Sequence, residues 1–135
     1  MKNKLKKITT LLLVTLCVLF AFGCQPSAPQ DIKFTVDISN VESGATVLDY
    51  MNYLQDNGEL TFVFGSDGMI KSINGVDGSA NPYWMLYTDD ENNSDSAFGT
   101  IEINGVSYYS ATHGAGELPA VDGKTYVWRL ITYSL

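Results

Sequence analysis

From Lys33 to Ile38 polar and apolar side chains alternate, so Phe34, Val36 and Ile38 share a face, and this period of two predicts a half-buried strand. The period changes at Thr46. Val47, Leu48, Met51 and Leu54 fall on one helical stripe, and Thr46-Val-Leu-Asp49 has the spacing of a capping box with Asp in place of the usual Glu. Asp49 sits where the helix dipole favours a negative charge, and Gly58 stands where a helix ends in the left-handed region. Residues 46–58 thus predict the one convincing helix beyond the N-terminal region. Past it the period returns to two: a strand at 60–64, a turn at Gly65–Gly68, a strand at 69–73, turn chemistry at Asn74-Gly75 and a loop to Pro82. Tyr83-Trp-Met-Leu-Tyr-Thr88 is apolar on both faces, which suits a central strand covered from two sides. The run Asp-Asp-Glu-Asn-Asn-Ser-Asp-Ser-Ala-Phe-Gly (89–99) reads as an acidic loop. Residues 100–110 then predict a tight hairpin about Asn104-Gly105, pairing Ile101 with Tyr108 and Ile103 with Val106, and 125–133 predict a long closing strand. Ile-Asn-Gly-Val occurs at 73–76 and again at 103–106, but the flanks differ, so shared turn chemistry explains it better than a repeat.

A strand, a helix and then several strands joined by short turns describe an α+β domain over residues 32–135, one helix on a twisted, mostly antiparallel sheet with a β-grasp-like outline. The N-terminus reads differently. Four lysines within the first seven residues, an apolar stretch from Ile8 to Phe22, and Gly23-Cys24 have the layout of an export signal over 1–23. The apolar stretch is short against the ~20 residues a membrane-spanning helix needs. Ala21-Phe22-Gly23-Cys24 resembles the lipobox of bacterial lipoproteins, which implies a lipid on Cys24 and a membrane-anchored, extracytoplasmic protein with a Pro-containing tether over 24–31. Cys17 would leave with the signal, so no thiol remains for disulfides or thiolate chemistry.

Charge sharpens the class. Beyond Cys24 four basic side chains stand against fifteen acidic ones, a net charge of −11. Nucleic acid and anionic lipid headgroups are repelled by such a surface. Enzyme signatures are missing as well: there is no Gly-x-Ser-x-Gly, no His-Glu-x-x-His and no phosphate-cradling glycine loop, and a catalytic triad would have to run through His113, the only histidine. The expectation is a non-catalytic module.

Four phrases in order resemble the transcobalamin-like C-terminal domain family: Ser43-Gly-Ala-Thr-Val-Leu-Asp49, Ser72-Ile-Asn-Gly75, Tyr83-Trp-Met-Leu-Tyr87 and Val121-Asp-Gly-Lys-Thr-Tyr-Val-Trp-Arg129. The resemblance covers most of 32–135. It implies the α+β fold of the small domain that closes over bound corrinoid in animal cobalamin carriers, and in bacteria a domain of secreted or lipid-anchored surface proteins. This sequence departs from the pattern in two ways. It has no counterpart of the carriers' helical domain, and it inserts 89–99 where simpler members turn directly.

Three groups of residues carry candidate chemistry. Trp84, Tyr87, Tyr108 and Tyr109 sit on predicted strands. If the single helix covers one sheet face, the other is wet or met by loops, and rings there would form a platform for a flat ligand, a corrinoid included. The plainer reading is that aromatics make good strands and fill cores. His113, among small residues, is a candidate polar contact or axial ligand beside those rings, against a loop histidine with no role. Asp89, Glu91, Asn93 and Asp95 offer oxygens at alternate positions, a candidate set for a calcium-like cation. They do not form an EF-hand, because its sixth position is Ser94 and its twelfth Thr100. The alternative is a solvated loop that discourages edge-to-edge association. Ligand capture through the aromatic strand and the 110–118 loop is thus the first expectation, with cation binding at 89–95 or docking of an unknown protein partner at a sheet edge as alternatives.

Overall fold

The computed structural model describes residues 31–134. The predicted export signal, Cys24 and all of the tether but Asp31 lie outside the described residues. The fold is α+β, with one α-helix and eight strands in two antiparallel sheets. In chain order these are β1 (Ile32–Thr35), a 3-10 turn (Ile38–Asn40), α1 (Val47–Asp56), β2 (Phe62–Phe64), β3 (Ile70–Ile73), β4 (Val76–Asp77), β5 (Tyr83–Thr88), β6 (Ser94–Ile103), β7 (Val106–Ala111) and β8 (Thr125–Ile131). The larger sheet has the order β1-β8-β5-β7-β6, so the first and last strands lie side by side and β5 is central as expected. Among the described residues no helix is long and apolar enough to cross a membrane.

Local signals set the helix. Thr46 Oγ1 accepts from the Asp49 N–H (3.2 Å) while an Asp49 oxygen accepts from the Thr46 N–H (2.8 Å), which closes the capping box. The remaining free N–H groups of the first turn are met from outside: Val47 donates to Leu118 O (2.8 Å) and Leu48 to Ala115 O (2.9 Å). The segment after β7 is therefore hung from the start of α1. Val47, Met51 and Leu54 then pack onto Trp84, Leu86, Tyr126 and Trp128 of the larger sheet. Inside this core the Trp128 Nε1–H points to Met51 Sδ at 3.3 Å, and the Phe34 ring stacks against both Tyr50 and Tyr126.

Two expectations about the sheets need correction. Strands β2, β3 and β4 do not continue the larger sheet but form a second sheet of three. Asn74 and Gly75, both at positive φ, fold β3 back on β4, and the chain then meets β5 side-on rather than as a ladder. The joint is tight: a methyl group at Gly78 would lie 2.3 Å from Trp84 Cδ1, and the Trp84 Nε1–H donates to Val76 O at 3.0 Å. The sheet face away from α1 is also not simply wet. There Tyr87, Ile101, Tyr108 and Val127 form a second buried cluster flanked by Met85, Ile103 and Ile131. At the rim of the larger sheet, Arg129 grips Asp31 with two hydrogen bonds (2.8 and 2.6 Å).

The 89–99 run divides. Only its first part is a loop, while 94–99 extend β6 as an edge strand. At the N-terminal end the first strand is shorter than the alternation suggested, since Asp37 turns the chain by accepting from Ser39 N and Oγ. Thr46→Ala removes the cap and should cost about 1 kcal/mol, which lowers the thermal midpoint by roughly 4–8 °C for a domain of this size. Thr46→Ser should stay near wild type in the same circular-dichroism melt.

Candidate functional site

Strand β5 is paired unequally on its two sides. Against β8 its register runs without a break from Tyr83 opposite Ile131 to Thr88 opposite Tyr126. Against β7 it pairs only at Tyr87 with Ser110 and Thr88 with Tyr109. Past Ala111 the chain leaves the sheet, drawn off by the hydrogen bonds of Leu48 and Val47 to Ala115 and Leu118. The edge of β5 from Trp84 to Leu86 is left without a neighbouring strand, apart from the Trp84 N–H to Gly78 O contact at 3.3 Å.

A groove of about 350 Å³ follows this open edge. Because it runs along an edge, it is lined from both faces of the strand, by Trp84 and Leu86 on one and Tyr83 and Met85 on the other. Trp128 adds to the floor, the turn Gly68-Met69 of the smaller sheet forms one wall, and the segment Ala111–Ala115 forms another. Those walls meet where Gly114 approaches Gly68 O. Phe98, from the β6 edge, completes the outer side. Met69 and Phe98 are 51% and 68% exposed, so apolar surface lies open at the groove mouth, where a ligand would gain from covering it. Small-molecule sites are typically clefts of ~300–1,000 Å³ with mostly apolar walls and a few polar groups, and this groove matches that description. Its imidazole is His113, exposed at the rim, with Nδ1 3.0 Å from Thr112 Oγ1.

The predicted aromatics separate. Trp84 lies on the groove floor, 4% exposed and fixed through its indole N–H. His113 lies in the wall beside it. Tyr87 and Tyr108 are buried in the second cluster, on the other face of the larger sheet. Tyr109 is exposed and pairs with Thr88 and Thr100 beyond the end of the groove. Met69 and Phe98 are what reading the sequence missed. A signal existed for Phe98: a lone large apolar residue before Gly99 in a polar stretch marks a bulge that aims a side chain.

The acidic residues are folded into local structure. Asp90 is 1% exposed, and its two oxygens accept from Asn92 N (3.2 Å) and Asn93 Nδ2 (2.7 Å). Its N–H donates to Thr88 Oγ1 (3.1 Å), which itself donates to Thr125 O (2.9 Å). Asp89 Oδ1 accepts from the Thr125 N–H at 2.8 Å and so starts β8. Asp95 Oδ1 accepts from Ala97 N at 2.9 Å, with Ser110 Oγ at 3.1 Å. Glu91 is exposed and Asn93 half-buried. Among the described residues, no group of three or more His, Cys, Asp or Glu side chains converges as a metal-binding set.

Fold and groove together define an α+β domain with an apolar cleft at an open strand edge. A family model described as a domain of unknown function, DUF4430, matches residues 44–105, which span α1, the smaller sheet, β5 and β6. No curated protein and no solved structure matches the chain.

Two measurements follow from this geometry. Asp90 has both oxygens engaged, whereas Asp89 and Asp95 accept through Oδ1 and Glu91 is exposed, so carboxylate oxygens remain for a calcium ion at 89–95. Calcium held there in the native state would raise the melting midpoint in about 1 mM calcium above that in EDTA, and an unchanged midpoint would dispose of the site. Burial pushes the Tyr87 phenol above its ordinary value near 10, with Tyr83 adding to the rise and Arg129 opposing it. Tyr126 is pushed up by burial too, against the Val121 N–H that its oxygen accepts. A folded state that holds these protons more tightly than the unfolded chain is favoured below the unfolded value and loses that advantage as pH rises through the folded one. Urea unfolding between about pH 8 and 11 should show falling stability above pH 10, with a shallower fall in Tyr87→Phe.

Proposed function

We propose that this protein is a lipid-anchored, extracytoplasmic, non-catalytic module that holds a flat small molecule in the β5 groove, a corrinoid being the candidate that the family resemblance brings. The observation that carries the reading is the groove itself: about 350 Å³ along an unpaired strand edge, with Trp84 and Trp128 in its floor and apolar side chains open at its mouth. The resemblance of residues 43–49, 72–75, 83–87 and 121–129 to the transcobalamin-like C-terminal domain family is what supports the corrinoid candidate. At that volume the groove takes one edge or one side of a corrin ring, leaving the rest outside. His113 at the rim supplies the imidazole that a corrinoid cobalt can accept as an axial ligand. Residues 24–31 act as a short tether in this reading, holding the groove close to the membrane surface.

Tryptophan emission tests the reading directly, since both indoles lie in the floor. Titration of the full-length protein with a corrinoid should give saturable quenching, and His113→Ala should weaken it and change the visible spectrum of the bound corrinoid. Absence of any emission or absorbance change up to about 1 mM corrinoid, a concentration that saturates even weak sites, would eliminate the corrinoid candidate.

A further inference from the structure

The outer side of the groove is made by the inserted segment, and its construction is unusual for an exposed loop. The β6–β7 register passes from Asp95 opposite Ser110 directly to Thr100 opposite Tyr109, so residues 96–99 leave the ladder together. Such a protrusion would ordinarily have loose backbone groups at its tip, but here the backbone is held at three points. The Ala97 N–H donates to Asp95 Oδ1 (2.9 Å). The Phe98 N–H donates to Ser110 Oγ (3.2 Å), a fully buried hydroxyl that itself donates to Asp95 O (2.9 Å). The Tyr87 phenol reaches the Phe98 carbonyl at 3.5 Å. Gly99, at φ +93°, then returns the chain to the strand.

These anchors act on the backbone, and the ring of Phe98 projects at the groove mouth with 68% of the residue exposed. Keeping an aromatic ring in water on an anchored backbone gives the fold no packing in return. It is what a ligand-gripping arm requires, because the ordering cost is met before the ligand arrives. The charge around the groove indicates what the arm would grip. Its lining contains no Lys, Arg, Asp or Glu, so recognition falls to the Phe98 and Tyr83 rings and two methionines, Met69 and Met85, within the field of the whole domain. Lys71, close by, is paired with Asp67, and Arg129 with Asp31. The chain beyond Cys24 carries a net charge of −11. Aromatic faces attract cations, and a negative field raises their local concentration.

Building on the groove reading above, we infer that residues 96–99 are a preformed arm whose Phe98 closes over a planar aromatic cation, making Phe98 the residue that sets affinity and ligand charge preference. Ser110 is the positioning residue behind it. The test uses three flat dyes on the full-length protein, cationic thioflavin T, neutral Nile red and anionic anilinonaphthalene sulfonate, read by dye fluorescence and tryptophan quenching. Thioflavin T should bind most tightly and weaken as salt rises. Phe98→Ala should lose about tenfold in affinity for it at an unchanged melting midpoint, Phe98→Trp should restore binding, and Val106→Ala, exposed elsewhere, should leave it unaltered. If the dyes bind but Phe98→Ala stays within about twofold of wild type, or the anionic dye matches the cationic one, the arm is refuted and the groove reading survives. If none binds, the arm is refuted, and the groove reading is decided by the corrinoid titration.

Discussion

The position of the Trp84 indole against Gly78 is the constraint on which the remaining architecture depends. An indole on the central strand of the larger sheet can reach the smaller sheet only because residue 78 has no side chain, and its N–H then finds Val76 O at the start of β4. That contact fixes where the two sheets meet, and the meeting point determines that the Gly68-Met69 turn faces the edge of β5. The same ring is part of the main core with Leu86, Tyr126 and Trp128. One side chain thus joins the sheets, fills the interior and floors the groove. Two contacts, the indole hydrogen bond and the glycine approach, make this joint more specific than apolar packing alone, which tolerates repacking.

The groove is an assembly of parts whose positions have separate causes. Its floor belongs to the core. One wall is carried by the segment after β7, whose departure from the sheet is set by N–H groups at the start of α1 that need acceptors. The second wall is a hairpin turn of the smaller sheet, and the third is an edge-strand bulge. No element of secondary structure closes the gap along Trp84 to Leu86, so apolar side chains from several directions converge on backbone that a neighbouring strand would otherwise cover. Clefts with mostly apolar walls and a few polar groups are the usual form of a small-molecule site.

Much of the fold was legible because it is written in local chemistry. Thr46 with Asp49 marked the helix start and Gly58, at φ +72°, its end. Asn74-Gly75 and Asn104-Gly105 marked the two tight turns, all four residues at positive φ, and the register about the second is the one expected, with Ile101 opposite Tyr108 and Ile103 opposite Val106. The division into two sheets was not legible, because it rests on a contact between residues 78 and 84 that no periodicity encodes. Nor was the fate of the acidic run: a string of Asp and Asn reads as solvated, and only folding reveals that Thr88, Asn92 and Asn93 supply enough donors and acceptors to bury Asp90. For the site, Trp84 and His113 stood out by residue type. Tyr87 and Tyr108 have the same alternation whether their face is open or filled, so their burial in a second cluster could not be read from spacing. Met69 is a single apolar residue in polar surroundings, a pattern that is ordinary on protein surfaces, and the bulge signal at Phe98-Gly99 does not say where the ring is aimed.

The bulge at 96–99 hangs from the last strand of its sheet, and all four residues are exposed. Its tip adds nothing to either apolar cluster, so substitutions at 96–98 are nearly free of the folding cost that core positions, and Gly99 at φ +93°, impose. The segment that faces the groove mouth is therefore at liberty to vary. Descendants of one stable scaffold could acquire different ligand preferences by rewriting a few residues of the arm while Trp84, Gly78 and the capped helix stay as they are.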